Sequence, residues 1–163
     1  MTTREPIITR AGMGIEHGHA GGAGSVTALA AAQNPGGVAV QFARMPVGSG
    51  APFHRHPSFD EVFIILEGAV EFQADRTVHT LRKGDLIWIP GETPHAPKAV
   101  EAGPSGFAEL VMLVTPARFE DFFHEMGAII GDPDFKAKLA PIAERYGIEF
   151  LDRPTPEPAS PDG

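Results

Sequence analysis

An all-β domain, a sandwich or barrel of short antiparallel strands with a C-terminal helical appendage, is predicted for this chain. Three observations predict it. Between Gly37 and Thr115, short runs rich in Val, Ile, Phe and Leu alternate with Gly and Pro, with no helical pattern between them. The 19 glycines and 16 prolines supply many turns, yet together stay below the roughly 25–30% of low-complexity chains. After Thr115 the apolar spacing changes to that of helices.

Residues 11–37 hold eight glycines and a run of alanines, so 1–25 reads as a glycine-rich arm, ordered by lying on something else. A strand near Val26–Gln33 then opens a barrel spanning 26–115. Further strands are expected at 38–45, 62–66, 69–74, 76–81, 85–90, 95–100 and 107–115. Thr115-Pro116 supplies an N-cap and a first helical position, and Phe119, Phe122, Phe123 and Met126 follow at helical spacing before Gly127. Asp132-Pro133 repeats the start signal. Phe135, Leu139, Ile142 and Tyr146 form one stripe, Gly147 ends it, and Pro141 is expected to kink or split this second helix. The helices fill 116–151 and must bury their apolar faces, either over the barrel mouth as part of a lid or on its outer face. The stretch 152–163, with four prolines among its last ten residues, reads as a disordered tail.

Charge and composition exclude several functions. With 13 Lys+Arg against 21 Asp+Glu, the net charge is −8, and no basic stripe exists to neutralise phosphates, so no nucleic-acid partner is expected. No apolar run approaches the ~18 residues of a membrane span, and the first residues lack a signal-peptide layout, so a cytoplasmic protein without a membrane partner is expected. The lack of cysteine rules out disulfides, thiolate catalysis, Cys-ligated zinc and iron–sulfur clusters. A small-molecule substrate is the expected partner.

The chemistry concentrates between Gly48 and His95. His54 and His56 are two apart, so on a strand both imidazoles face one side. Glu61 follows across Pro57-Ser58, which lets the next strand fold back. An inward Glu61 carries Phe63 and Ile65 inward with it and turns Val62, Ile64 and Leu66 to the other layer. His95 follows a strand that ends in the turn Pro90-Gly-Glu-Thr-Pro94. Three neutral imidazoles and one carboxylate suit a divalent first-row metal, one per chain, with Fe, Mn, Ni, Co, Cu and Zn all open. Such a site keeps a residual charge of about +1 and, in an octahedron, two open positions. His17 and His19 share the local spacing of His54 and His56, but they sit among glycines with no following carboxylate and read as a flexible arm. His79 reads as solvent-facing, and His124 as lying on the polar side of the first helix. Candidate pocket walls are Phe42 or Gln41, Phe53, Phe63, Ile65, Phe72, Trp88 and Met112. Only Phe63 and Ile65 have a fixed parity. Arg44 and Glu109 stay unplaced, and an inward Arg44 or Gln41 would orient an oxyanionic substrate.

These residues resemble the cupin superfamily. Its first motif, Gly-x5-His-x-His-x4-Glu-x6-Gly, is matched at Gly48, His54, His56, Glu61 and Gly68. Its second, Gly-x5-Pro-x-Gly-x2-His-x3-Asn, is matched at Gly84, Pro90 and His95, with Glu92 in place of the third glycine and Ala99 in place of the terminal Asn. The short stretch between the motifs is typical of small bacterial members. Residues 115–127 and 143–151 extend the resemblance to single-domain, quercetin 2,3-dioxygenase-like cupins. The resemblance implies a double-stranded β-helix, or jelly roll, and a metal held by His54, His56, Glu61 and His95. It further implies a dioxygenase acting with dioxygen on an enol or flavonol-like substrate, with Glu61 as catalytic base. Two alternatives stand beside it: a non-oxidative cupin enzyme, such as a polyketide cyclase or isomerase using the metal as Lewis acid, and a non-catalytic cupin that binds a small molecule or metal. A homodimer joined through a barrel edge is expected, because an open sheet edge needs covering.

Overall fold

The computed structural model describes residues 6–18, 24–34 and 36–158. Two six-stranded sheets face each other. The first orders its strands β1 (Ile15–Gly18), β2 (Gly24–Leu29), β3 (Ala39–Met45), β10 (Ala108–Thr115), β5 (Asp60–Glu67) and β8 (Leu86–Ile89). The second runs β11 (Glu149–Phe150), β4 (His54–Arg55), β9 (His95–Glu101), β6 (Ala69–Ala74), β7 (Thr77–Arg82) and β12 (Glu157–Pro158). All pairings are antiparallel except that of β12 with β7. Chain-distant strands thus become neighbours, as in a jelly roll.

The strands form because their residues alternate. On β5, Glu61, Phe63 and Ile65 are buried while Val62 and Ile64 are half-buried and Leu66 is exposed. On β10, Ala108, Leu110, Met112 and Val114 are buried. These meet Val70, Phe72 and Ala99 of the second sheet, with the Phe63 and Phe72 rings 4.9 Å apart. The residues alternating with Glu61 on β5 therefore lie on the barrel's outside rather than against another layer.

Parity also settles the positions left open on β3 and β10. Gln41 points inward and is 1% exposed, whereas Phe42 and Arg44 face out. Arg44 lies over the Phe107 ring at 5.6 Å, and Glu109 stands opposite it in register. Trp88, 57% exposed on β8, also faces out. Phe42 and Trp88 are thereby removed from the pocket wall.

Both ends of the chain differ from expectation. Within the expected arm, Ile15–Gly18 pairs with β2, which runs Gly24–Leu29 rather than 26–33. His19 and residues 1–5 of the arm lie outside the described residues. Residues 152–158 run along the second sheet: Leu151 donates to Phe53 O, Gln73 donates to Pro154 O, and Arg76 pairs with Glu157 at 2.8 Å. Their prolines are tolerated because β12 is an edge strand. Residues 159–163 of the expected tail lie outside the described residues.

A 3-10 turn, Ala117–Phe119, leads into α1 (Glu120–Ile129), and α2 spans Phe135–Arg145. Gly127 continues α1 instead of ending it, lying against the His17 ring. Pro141 does not split α2. It and Ala137 are both exposed, so the carbonyl its ring deprives of a partner lies on the solvent side. Gly147, at φ +70°, ends that segment as expected. No helix among the described residues is long and apolar enough to cross a membrane.

Candidate metal centre

Four polar side chains from both sheets converge. His54 on β4 lies directly opposite His95 on β9, with ring centroids 4.4 Å apart. His56 follows β4 at the turn into β5, which delivers Glu61 from the facing sheet. His56 and His95 are fully buried and Glu61 is 4% exposed. One ring nitrogen of each of His54, His56 and His95 lies within 4.8 Å of the others. Glu61 Oε2 is 3.1 Å from Nε2 of both His56 and His95.

The backbone dictates which nitrogen is free. Nδ1 of His54 faces Pro52 O at 2.8 Å, Nδ1 of His56 faces Phe59 O at 3.0 Å, and Nδ1 of His95 faces Thr93 O at 3.0 Å. A carbonyl only accepts, so each Nδ1 donates to its carbonyl and each Nε2 faces the centre, where a proton bonds it to Glu61 or a lone pair meets a cation. With no proton on Nε2, three lone pairs beside a carboxylate would repel one another unless a positive charge sat among them. The donor set therefore fits a divalent cation, with its outer partners already in place.

The electrostatics agree. Burial, followed by the neighbouring His95, pushes the His54 imidazole down to about 4, so it is neutral and free to coordinate at neutral pH. Burial opposes ionisation of Glu61, but the hydrogen bonds of His56 and His95 outweigh it and hold the carboxyl well below the usual range. Glu61 is an anion there.

Two details hold the centre in shape. Gly91 packs on the His56 turn so closely that a Cβ would lie 3.1 Å from Pro57 O and 3.2 Å from Phe59 O. Its N–H donates to Asp60 Oδ1 at 2.8 Å. Glu92 adopts φ +73°, so the left-handed turn survives without the glycine that the motif places there, at a cost of roughly 1 kcal/mol. On the other side, the His56 ring stacks on Phe59 at 3.8 Å, Phe59 on Phe119 at 3.5 Å, and Phe119 on Phe122 at 5.2 Å. Sequence reasoning missed Phe59. Its place three residues after His56 gives no signal until the turn is seen.

Above the centre opens a cavity of about 440 Å³. His54, Glu61 and His95 line it together with Gln41, Phe63 and Met112, and Phe119 of the 3-10 turn and Phe122, Phe123 and Met126 of α1 close one side. The apolar face of α1 thus covers the mouth rather than the outside of the barrel. Of the other expected wall residues, Ile65 and Phe72 are sealed in the core, and Phe53 is buried behind the wall with its carbonyl held by Leu151. His17 is not a ligand: it is buried and 2.9 Å from Thr27 Oγ1, with the His124 ring edge-on at 5.8 Å. His79 is half-buried opposite Phe72 rather than open to solvent.

Fold and site together define a β-sandwich protein with a His/carboxylate centre at the floor of an apolar pocket. Residues 41–112 match the cupin domain family, and the fold is the cupin jelly roll. The chain is 42% identical over 51 residues to an uncharacterised protein of Methanocaldococcus jannaschii, covering 31% of this chain and 41% of that protein. It is 39% identical over 75 residues to auxin-binding protein ABP19b of Prunus persica, covering 40% and 36%. The matched segment thus spans well under half of either relative. An RmlC-like cupin from Shewanella frigidimarina superposes with a TM-score of 0.59 at 18% identity, covering 72% of this chain and 96% of that one. These matches support the cupin superfamily for the barrel.

Proposed function

We propose that this protein is a metal-dependent cupin enzyme, a dioxygenase of the quercetinase-like type that acts on a small enol or hydroxy-aromatic substrate. The observation that carries the reading is the convergence of three Nδ1-anchored imidazoles and one buried carboxylate at the floor of an apolar, helix-covered cavity. Support for oxygen chemistry comes from the likeness of the C-terminal segment, residues 115–127 and 143–151, to quercetinase-like cupins. His54, His56, His95 and Glu61 would hold the ion, which when bound supplies a Lewis acid toward a substrate oxygen. Phe119, Phe122 and Met126 exclude water from that oxygen, and Glu61 takes the proton of the substrate hydroxyl.

Elemental analysis of protein purified without added metal, coupled to oxygen uptake across flavonols and diketones, tests this. About one transition metal per chain and oxygen-dependent turnover are expected. Turnover that persists without dioxygen would select the non-oxidative enzyme instead. Glu61→Gln is expected to keep part of the metal but lower turnover at least about a hundredfold, in line with the loss of a general base. Unchanged turnover would remove Glu61 from that role. The name of the Prunus relative favours a second reading, small-molecule binding without chemistry. Saturable binding with no turnover would select it.

A homodimer is proposed to form on the outer face of the first sheet. Phe42, Val111, Ile64 and Leu86 stand opposite one another across four strands, beside the row Leu113, Val62 and Trp88. Phe42, Leu86 and Trp88 are 48%, 57% and 57% exposed, and β8 is an open edge. A second copy would cover both rows. Light scattering after gel filtration is expected to give a dimer for the wild type and a monomer for Trp88→Arg. Emission of Trp88, the sole tryptophan, should shift red on dilution. A wild type that stays monomeric at high concentration overturns the dimer.

A further inference from the structure

One inward polar group has no role in the ligand set. Gln41 stands on β3 between Thr27 of β2 and Met112 of β10, lines the cavity, and is 1% exposed. Its Nε2 donates to Thr27 Oγ1 at 3.2 Å. Its Oε1 is, among the described residues, the one buried side-chain polar atom without a hydrogen-bond partner. Leaving such an acceptor unpaired is costly, so an amide in an apolar wall calls for a reason.

The groups behind Gln41 extend this bond. Thr27 is 2% exposed, and its Oγ1 is also 2.9 Å from Nε2 of His17, itself 4% exposed. Since Gln41 already donates to that hydroxyl oxygen, the hydroxyl's own proton goes to His17 Nε2. Burial pushes the His17 imidazole below its ordinary value against the pull of Glu120, which leaves a neutral ring able to accept. The donors therefore run outward from Gln41 through Thr27 to His17, and Oε1 is the amide atom left without a partner.

We propose that Gln41 is a specificity-determining residue whose Oε1 accepts a hydrogen bond from a hydroxyl or N–H of the ligand, with Thr27 and His17 as positioning residues. The inference rests on the reading of the cavity as the substrate pocket and narrows it. The favoured ligand is a largely apolar, ring-sized molecule carrying a neutral hydrogen-bond donor. This differs from the expectation that Gln41 would orient an oxyanion, because one of its two N–H groups donates to Thr27 and the atom left without a partner is the acceptor Oε1. A ligand lacking the donor leaves Oε1 unpaired, and sites built to bond a hydroxyl discriminate strongly against analogues without it.

Matched pairs test this: flavonol and its methyl ether, and a flavone hydroxylated on its benzo ring and that compound's methyl ether. Affinities are measured by equilibrium dialysis without oxygen, on protein as purified, for wild type, Gln41→Met and Thr27→Val, with metal content measured alongside. Any preference due to the metal is common to all three proteins and cancels in the comparison. For at least one pair the hydroxyl-over-ether preference is expected to fall about tenfold in Gln41→Met and several-fold in Thr27→Val, with metal content unchanged. Thr27→Val keeps the shape of the side chain and carries the test should Gln41→Met fail to fold. Binding with unaltered preference in the folded variants overturns the role of Gln41 and leaves the proposed function standing. Failure of the wild type to bind any of the four compounds overturns the ligand class together with the substrate reading beneath it.

Discussion

Replacing His56 with alanine is expected to weaken metal binding by more than the 10–100-fold in affinity that loss of an outer-shell partner brings, so that metal per chain falls sharply and turnover is abolished. The reason lies in where His56 stands. It is fully buried, its Nδ1 is held by Phe59 O, and its Nε2 faces Glu61 Oε2 at 3.1 Å. Removing it takes one inward lone pair and leaves Glu61 opposite an empty space with only His95 beside it. A buried carboxylate that loses a partner becomes harder to ionise, so the remaining set also carries less negative charge toward a cation. His79→Ala is the control: that imidazole is half-buried opposite Phe72, remote from the centre, and metal content is expected to stay at the wild-type level. Metal analysis of both variants after identical purification reads the difference. Equal metal in His56→Ala and wild type would dismantle the site.

The meeting of His54, His56 and Glu61 was legible in the sequence because their geometry is local, whereas His95 joins them only through the pairing of β4 with β9. A spacing of two puts His54 and His56 on one face, and a Pro-bearing turn brings Glu61 back beside them. The facing of Phe63 and Ile65 followed from Glu61 by the same alternation. Parity failed where no anchor existed. Nothing within 38–45 or 85–90 tells which alternate set is inward, and so Phe42 stood as an alternative to Gln41, and Trp88 was expected, in a pocket both turn away from. Long-range pairing was equally invisible: Ile15–Gly18 is a strand only because Gly24–Leu29 folds back on it, and residues 152–158 are held by partners some eighty residues earlier. His17 shows the limit most sharply. Its spacing to His19 imitates the metal pair, yet burial against Thr27 gives it a partner that no local pattern announces. The departure at Glu92 was visible from the motif, but its outcome was not. The turn keeps its left-handed residue because Gly91, one position earlier, already accommodates the close backbone approach.

Truncating Phe119 should separate the support of the site from the site itself. Its ring is 4% exposed and lies between Phe59 and Phe122, with Phe123 edge-on at 5.4 Å and Tyr146 at 6.2 Å. Phe119→Ala removes the middle of the column that joins His56 to α1, and large-to-small changes of this kind cost ~3–5 kcal/mol. For a chain of this length the melting temperature is then expected to fall on the order of 10 °C, since each kcal/mol is worth roughly 2–4 °C. Phe119→Leu keeps most of the volume and should cost less than ~1.5 kcal/mol. The four side chains proposed as ligands come from β4, β5, β9 and the turn after β4, not from α1, so metal per chain should stay near the wild-type value in both variants. Turnover should nevertheless fall in Phe119→Ala, because the wall that keeps water from the cavity is opened. Calorimetry and metal analysis on the same preparations read the two effects apart. A Phe119→Ala protein that melts with the wild type would show that α1 does not hold the barrel through this column. One that loses its metal would show that the column, and not the β-scaffold alone, keeps His56 in place.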